Sequence, residues 1–271
     1  MTWSRIGCIL TIGLACILGM AAEPPSAPPP DFKLALGLFG ADQAPLGTGE
    51  LVVRKGVAYQ FLSEAKQEVQ IVDPNHARVI LLDLKRKLQT EITPSQLDAH
   101  VARLRRTIEA AIETREKSKD RSDRVAAGMS RELVNPNFKT EFDPLSHRLR
   151  LANATVEVVA TGDPEPDSRR LALIQCVLTA IVKLGSLREP DTLPPFTRLE
   201  ALNALMTGHK LRPAEVTMVL RLAGPPKKLR WTFKLVAELT NREREAIARV
   251  DQLRVNTRFV PYASYDLDDG E

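Results

Sequence analysis

Between Leu46 and Thr93 the chain alternates apolar and polar residues in five short runs, with a turn signal after each. Successive side chains on a strand point to opposite faces, so a half-buried strand carries an apolar residue at every second position. Leu51 and Val53 alternate with Glu50 and Arg54, then Val57, Tyr59 and Phe61 with Ala58 and Gln60. Val69 and Ile71 alternate with Glu68 and Gln70, Val79 and Leu81 precede Asp83, and Leu88, Thr90 and Ile92 alternate with Lys87, Gln89 and Glu91. The dividers are Arg54-Lys55-Gly56, Ser63 to Lys66, Asp73-Pro74-Asn75 and Asp83 to Arg86. Gly admits positive φ, Pro presets φ, and Asp or Asn bonds its own backbone, so each divider is a turn for a stated reason. Connections this short leave no room for the crossover that parallel neighbours need. The run therefore predicts an antiparallel meander with one apolar and one charged face.

The N-terminal stretch bears on compartment. Arg5 is the one charge before an apolar run from Ile6 to Met20, and Ala21-Ala22 follow. That run is shorter than the roughly 20 residues of a membrane span, so residues 1–22 read as a cleaved signal peptide, against the alternative of a retained anchor, and the protein as periplasmic or secreted. Residues 23–31 are Pro-rich, an extended linker. Cys8 and Cys16 belong to the leader, and Cys176 alone cannot make an internal disulfide. The 38 basic and 34 acidic residues nearly balance and aromatics are only 5%. Neither feature offers a footprint for nucleic acid.

Phe32 to Phe39 reads as a first strand, Gly40 to Gly47 as a loop, and Gly47-Thr48-Gly49 as a turn leading into the next strand. Thr93-Pro94 opens a long helix with an apolar stripe at Leu97, Val101, Leu104, Ile108 and Ile112. The charged segment Arg115 to Arg124 is a solvated helix or a break, and Asn135-Pro136 ends the helical region. Strands follow at Phe138 to Phe142, His147 to Leu151 and Thr155 to Thr161. Leu171 to Leu187 is apolar nearly all round, the mark of a helix enclosed by a sheet. Phe196 to Leu205 reads as an amphipathic helix, Glu215 to Leu222 and Leu229 to Ala237 as a hairpin, and a last helix after Thr240 turns Ile247, Val250 and Leu253 inward. The expectation is an α+β fold: one domain over 32–262, a curved antiparallel sheet of about 11 strands forming a half-open barrel, helices on its concave face, and an acidic disordered tail over 263–271.

No catalytic constellation emerges, and no cofactor or metal site: there is no nucleophile elbow, zinc-binding helix, phosphate loop or Cys pair. Asp73 and His76 share a tight Asp-Pro turn in which Asp caps backbone amides. Cys176 sits in the most apolar helix, where a thiol is inert filler. The arginines of the last helix, with Arg258 and the Lys227-Lys228-Arg230 corner, offer peripheral contact with anionic headgroups, against the plainer reading of a solvated face.

The pattern Gly47-x-Gly49-x-Leu51-x-Val53-x-Lys55-Gly56, then Tyr59-x-Phe61 and Ile71-Val72-Asp73-Pro74, resembles the periplasmic lipoprotein-carrier superfamily of the Lol pathway. The resemblance covers roughly 30 residues and implies a half-open barrel whose cavity takes an acyl chain. Arg54 lies at a strand end comparable to the carriers' Arg and would contact a headgroup, whereas the carriers' Arg-Pro strand start with a Trp pair is absent. The expectation is thus a non-enzymatic protein carrying or sensing a lipid or lipoprotein acyl chain. Its cavity would be lined by Leu51, Val53, Tyr59, Phe61, Val69, Ile71, Trp231 and Phe233. The alternative is an envelope protein whose sheet is a packed core and which binds a protein partner.

Overall fold

The computed structural model describes residues 29–62, 67–189, 193–222 and 224–266. The leader, most of the linker and the Ser63 to Lys66 turn lie outside them. The meander is β1 (Phe32–Phe39), β2 (Pro45–Arg54), β3 (Val57–Phe61), β4 (Glu68–Asp73), β5 (Arg78–Asp83) and β6 (Leu88–Ile92). Helices α1 (Pro94–Glu116) and α2 (Arg121–Val134) follow, then β7 (Lys139–Asp143), β8 (Arg148–Ala152) and β9 (Val156–Pro164). Helix α3 (Ser168–Arg188), α4 (Phe196–Asn203) and a π turn (Ala204–Gly208) lead to β10 (Leu211–Leu220) and β11 (Lys227–Val236). Helix α5 (Asn241–Val255), β12 (Arg258–Phe259) and α6 (Tyr262–Asp266) complete the described chain.

Local chemistry explains most of these boundaries. Lys55 and Gly56 both have positive φ, 51° and 77°, which is the two-residue primed turn that suits the twist of a hairpin. Three four-residue turns share one design. Asp73, Asp83 and Asp143 each accept a backbone N–H from two or three residues on. Ala77, Lys87 and His147 close those turns in the left-handed region. Thr93 caps α1 and Thr240 caps α5, each in a reciprocal capping box. The strand after the π turn starts earlier than its pattern suggests, at Leu211, because Pro213 sits at a register shift against β9, where its missing N–H costs no ladder bond.

All strands join one open sheet in the order β12-β6-β5-β4-β3-β2-β1-β11-β10-β9-β8-β7. Every pairing is antiparallel except the two-residue β12 alongside β6. That twelfth strand carries no readable pattern; it is held through the Lys87 and Gln89 carbonyls. Strand β1 is the seam, pairing with β2 on one side and with the distant β11 on the other. Helix α3 lies across the seam. Its buried Leu173, Ile174, Val177, Leu178 and Leu184 pack on Phe32, Leu34, Leu51, Val53, Ala58, Val72, Val79 and Leu81. By length and composition α3 could cross a membrane; here it covers the sheet.

Three expectations are corrected. Helix α5 does not join the others: Ile247 and Val250 pack on Val52, Tyr59, Val69, Ile71, Ile80 and Leu82, the opposite face of the sheet. Leu253 points away and is 36% exposed. Residues 263–266 are not a disordered tail, since α6 buries Tyr265 to 1% exposure against the α3 face. Residues 267–271 of that tail lie outside the described residues. Finally, Gly47 and Gly49 are strand residues of β2, standing opposite Leu38 and Leu36 without a Cβ.

The α6 end of the sheet is fastened by charge. Glu68 and Asp83 are direct cross-strand partners and both are buried, an arrangement that would repel if left alone. Arg188 at the end of α3 holds both Glu68 oxygens, one at 3.0 Å. Arg86 pairs with Asp83 at 2.7 Å and donates to the Tyr265 carbonyl at 3.0 Å.

Candidate functional site

On the α3 face the sheet is packed solidly beneath the helix at Leu51 and Val53 and opens beyond the seam. There a cavity of about 250 Å³ lies between α3 and α4 on one side and β1, β10 and β11 on the other. Its floor is Leu36 of β1, Val216 and Met218 of β10, and Trp231 and Phe233 of β11, all on one side by strand alternation. Its cover is Leu178, Ile181, Val182 and Gly185 of α3 with Ala201 and Leu202 of α4. Gly185 has no side chain to fill the space, and a Cβ built there would meet nothing within 4 Å. The space is half open to solvent and its lining is almost wholly apolar, the character of a ligand cleft.

One cation lines this apolar space. Arg198, the third residue of α4, donates to the Leu193 carbonyl at 3.0 Å, while its Nε is buried without an acceptor. Among the described residues it forms no ion pair. Burial lowers its pKa, opposed by the charge of Glu189, but a guanidinium stays protonated in a protein. Placement in the first turn adds to the imbalance, because a helix N-terminus is already positive and α4 has no side-chain cap. A cleft of about 370 Å³ along another face of α3 makes the contrast. Its charged residues are matched: Arg78 with Asp73 and Glu91, and Lys183 with Asp98. Cys176 lies in that cleft and is exposed, not buried filler; partial desolvation raises its thiol pKa, so it is reachable without being activated.

The residues read from sequence divide between the two faces. Trp231 and Phe233 line the cavity. Leu51 and Val53 share its face but sit in the solid core beneath α3. Tyr59, Phe61, Val69 and Ile71 are on the other face under α5, so they line no common space with the first group. The error is one of register. The two-residue turn pairs Val53 with Ala58 and Leu51 with Gln60, which puts Tyr59 beside Val52. Arg54 follows Val52 by two and so belongs to the α5 face, away from the cavity. Arg198 escaped notice because sequence shows it only as one more cation on an amphipathic helix. Gly185, inside an apolar helix where glycine is unfavourable, was the available signal.

The remaining candidates are occupied locally. Asp73 accepts from the His76 backbone at 3.3 Å and from Arg78 at 3.1 Å, and lies 2.7 Å from the His76 ring. His209 stacks on Phe142 at 3.6 Å. Among the described residues no group of three or more His, Cys, Asp or Glu could hold a metal. In the basic set near the C-terminus, Arg244 pairs with Asp31, Arg254 with Glu91, and Arg230 with Glu215. No protein-family model matches the chain, and no curated protein matches it.

Proposed function

We propose that this chain is a non-enzymatic binding protein, periplasmic or secreted, that holds an apolar ligand in the cavity beside α3. The observation that carries this reading is the half-open space itself, bounded almost wholly by aliphatic and aromatic side chains beside the packed core under α3. Ligand clefts of this kind are lined mainly by apolar and aromatic side chains with a few placed polar groups. Ile181, Val182, Trp231 and Phe233 are only half-buried, which gives a ligand a way in. The resemblance to lipoprotein carriers implies the same class of ligand, and the signal-like leader the same compartment.

Trp231 reports on the site directly, because the chain's other tryptophan, Trp3, stands in the leader. In the Trp3→Phe chain, titration with 1-decanol should change Trp231 emission saturably. Emission that stays constant up to the solubility limit of the alcohol overturns the reading.

A further inference from the structure

We propose that the ligand is a single-chain aliphatic acid whose carboxylate pairs with Arg198, an inference that rests on the binding role proposed above. The size of the space sets the chain. A dry cavity of about 150 Å³ holds benzene, with its six carbons. At the same ratio 250 Å³ takes on the order of ten heavy atoms. That is one medium-length tail, not the paired chains of a diacyl lipid.

The charge sets the head. A cation at an apolar wall favours an anionic partner over a neutral alcohol or alkane, because a charge-assisted bond is about twice as strong as a neutral one. Arg198 brings that charge to the wall, at the uncapped N-terminal turn of α4, with no ion pair among the described residues. It is the one cationic side chain among the residues lining the cavity. A carboxylate brings one negative charge in the planar, two-oxygen geometry that a guanidinium fork accepts. A phosphate monoester brings roughly −1.5 to −2, and would leave excess negative charge in an apolar space. The other polar lining group, Thr232, carries no charge.

The test compares decanoate, 1-decanol and decyl phosphate at pH 8 by Trp231 emission, in Trp3→Phe and Trp3→Phe/Arg198→Gln chains. Decanoate should bind at least about tenfold tighter than 1-decanol, as expected for a charge-assisted bond. Arg198→Gln should erase that preference, the two ligands then binding within about twofold of each other, and a far-ultraviolet circular dichroism spectrum matching the parent's reports that the variant is folded. Equal binding of decanoate and 1-decanol to the parent chain, or a preference that survives Arg198→Gln, overturns the proposal and leaves the cavity reading intact. Decyl phosphate binding tighter than decanoate overturns the single-charge assignment. If no amphiphile binds the parent chain, the cavity reading itself fails. Should Arg198→Gln not fold, Arg198→Lys decides: it keeps the charge but not the fork, so a several-fold smaller preference is expected and an unchanged one refutes the pairing.

Discussion

Replacing Gly185 by leucine should stabilise the fold and abolish ligand binding at once. Gly185 lies in the last two turns of α3, and open space lies beyond where its Cβ would stand. Exchanging glycine for leucine within a helix is worth about 0.7 kcal/mol through propensity. Burying an isobutyl group gains about 1.5–3 kcal/mol when complete. The cavity is half open and rotamer freedom costs about 0.5–1 kcal/mol, so roughly 1 kcal/mol of that gain survives. The net is a stabilisation of about 1–2 kcal/mol, or roughly 2–8 °C in Tm for a domain of this size. Gly185→Ala is the control. It should gain about 0.5–1 kcal/mol from propensity alone and still bind, since a methyl group leaves most of the 250 Å³ free. Urea titration reads the first quantity, as a shift in midpoint at constant slope, and Trp231 emission with 1-decanol reads the second. A destabilised Gly185→Leu would mean that the space is not open; a stabilised variant that still binds 1-decanol as the parent does would mean that the ligand sits elsewhere.

Three further expectations follow from the same coordinates. Arg188→Met leaves the buried Glu68 carboxylate without its partner, and stability measured by urea unfolding should fall by about 3–5 kcal/mol; a loss under 1 kcal/mol would show that water reaches Glu68. Thr90 is fully buried and its hydroxyl has no hydrogen-bond partner among the described residues. Thr90→Val, nearly the same shape, should therefore raise stability by about 1 kcal/mol, and a decrease would indicate an internal water held there. Glu157 is held below the usual carboxylate range by Arg150 first and Arg221 second. Its contribution is thus present above the unfolded-state value near 4.3 and is lost as pH falls through the lower folded value. As pH falls below that unfolded-state value the wild type should lose more stability than Glu157→Gln, and parallel acid limbs in the two chains would refute the assignment.

Much of the architecture was legible because it is set by neighbours in sequence. The five runs from Leu46 to Thr93 became β2 to β6, and β1 was read to the residue, since period-two alternation and Asp- or Gly-bearing turns act over a few positions. The capping boxes at Thr93 and Thr240 are equally local. Face assignment was readable in principle. The two-residue Lys55-Gly56 turn fixes Val53 opposite Ala58, and counting across it would have separated Leu51 from Tyr59. The sheet is covered on both sides, so apolar residues of either parity leave water. β12 and α6 were missed for a different reason. Two residues carry no period, and Tyr265 looks like the start of an acidic tail until its ring is seen under the α3 face.

The candidate site was the least legible part, and the reason is physical. Hydrophobic periodicity states which side chains leave water, so the sequence by itself determined most of the strands, the caps, the long apolar helix and the apolar character of Trp231 and Phe233; that the helix covers one face and leaves Cys176 exposed was decided by the tertiary structure. The sequence is silent on whether opposing surfaces meet or leave a gap, because that depends on volumes brought together from β1, α3, α4, β10 and β11, nearly 200 residues apart at the extremes. Likewise Arg198 has the same chemistry as every other arginine in the chain. Only the folded arrangement leaves it without an ion pair among the described residues while giving Arg188 to Glu68 and Arg86 to Asp83. Pairing between charges distant in sequence is a property of tertiary structure, and that pairing left one cation at the wall of an apolar cavity.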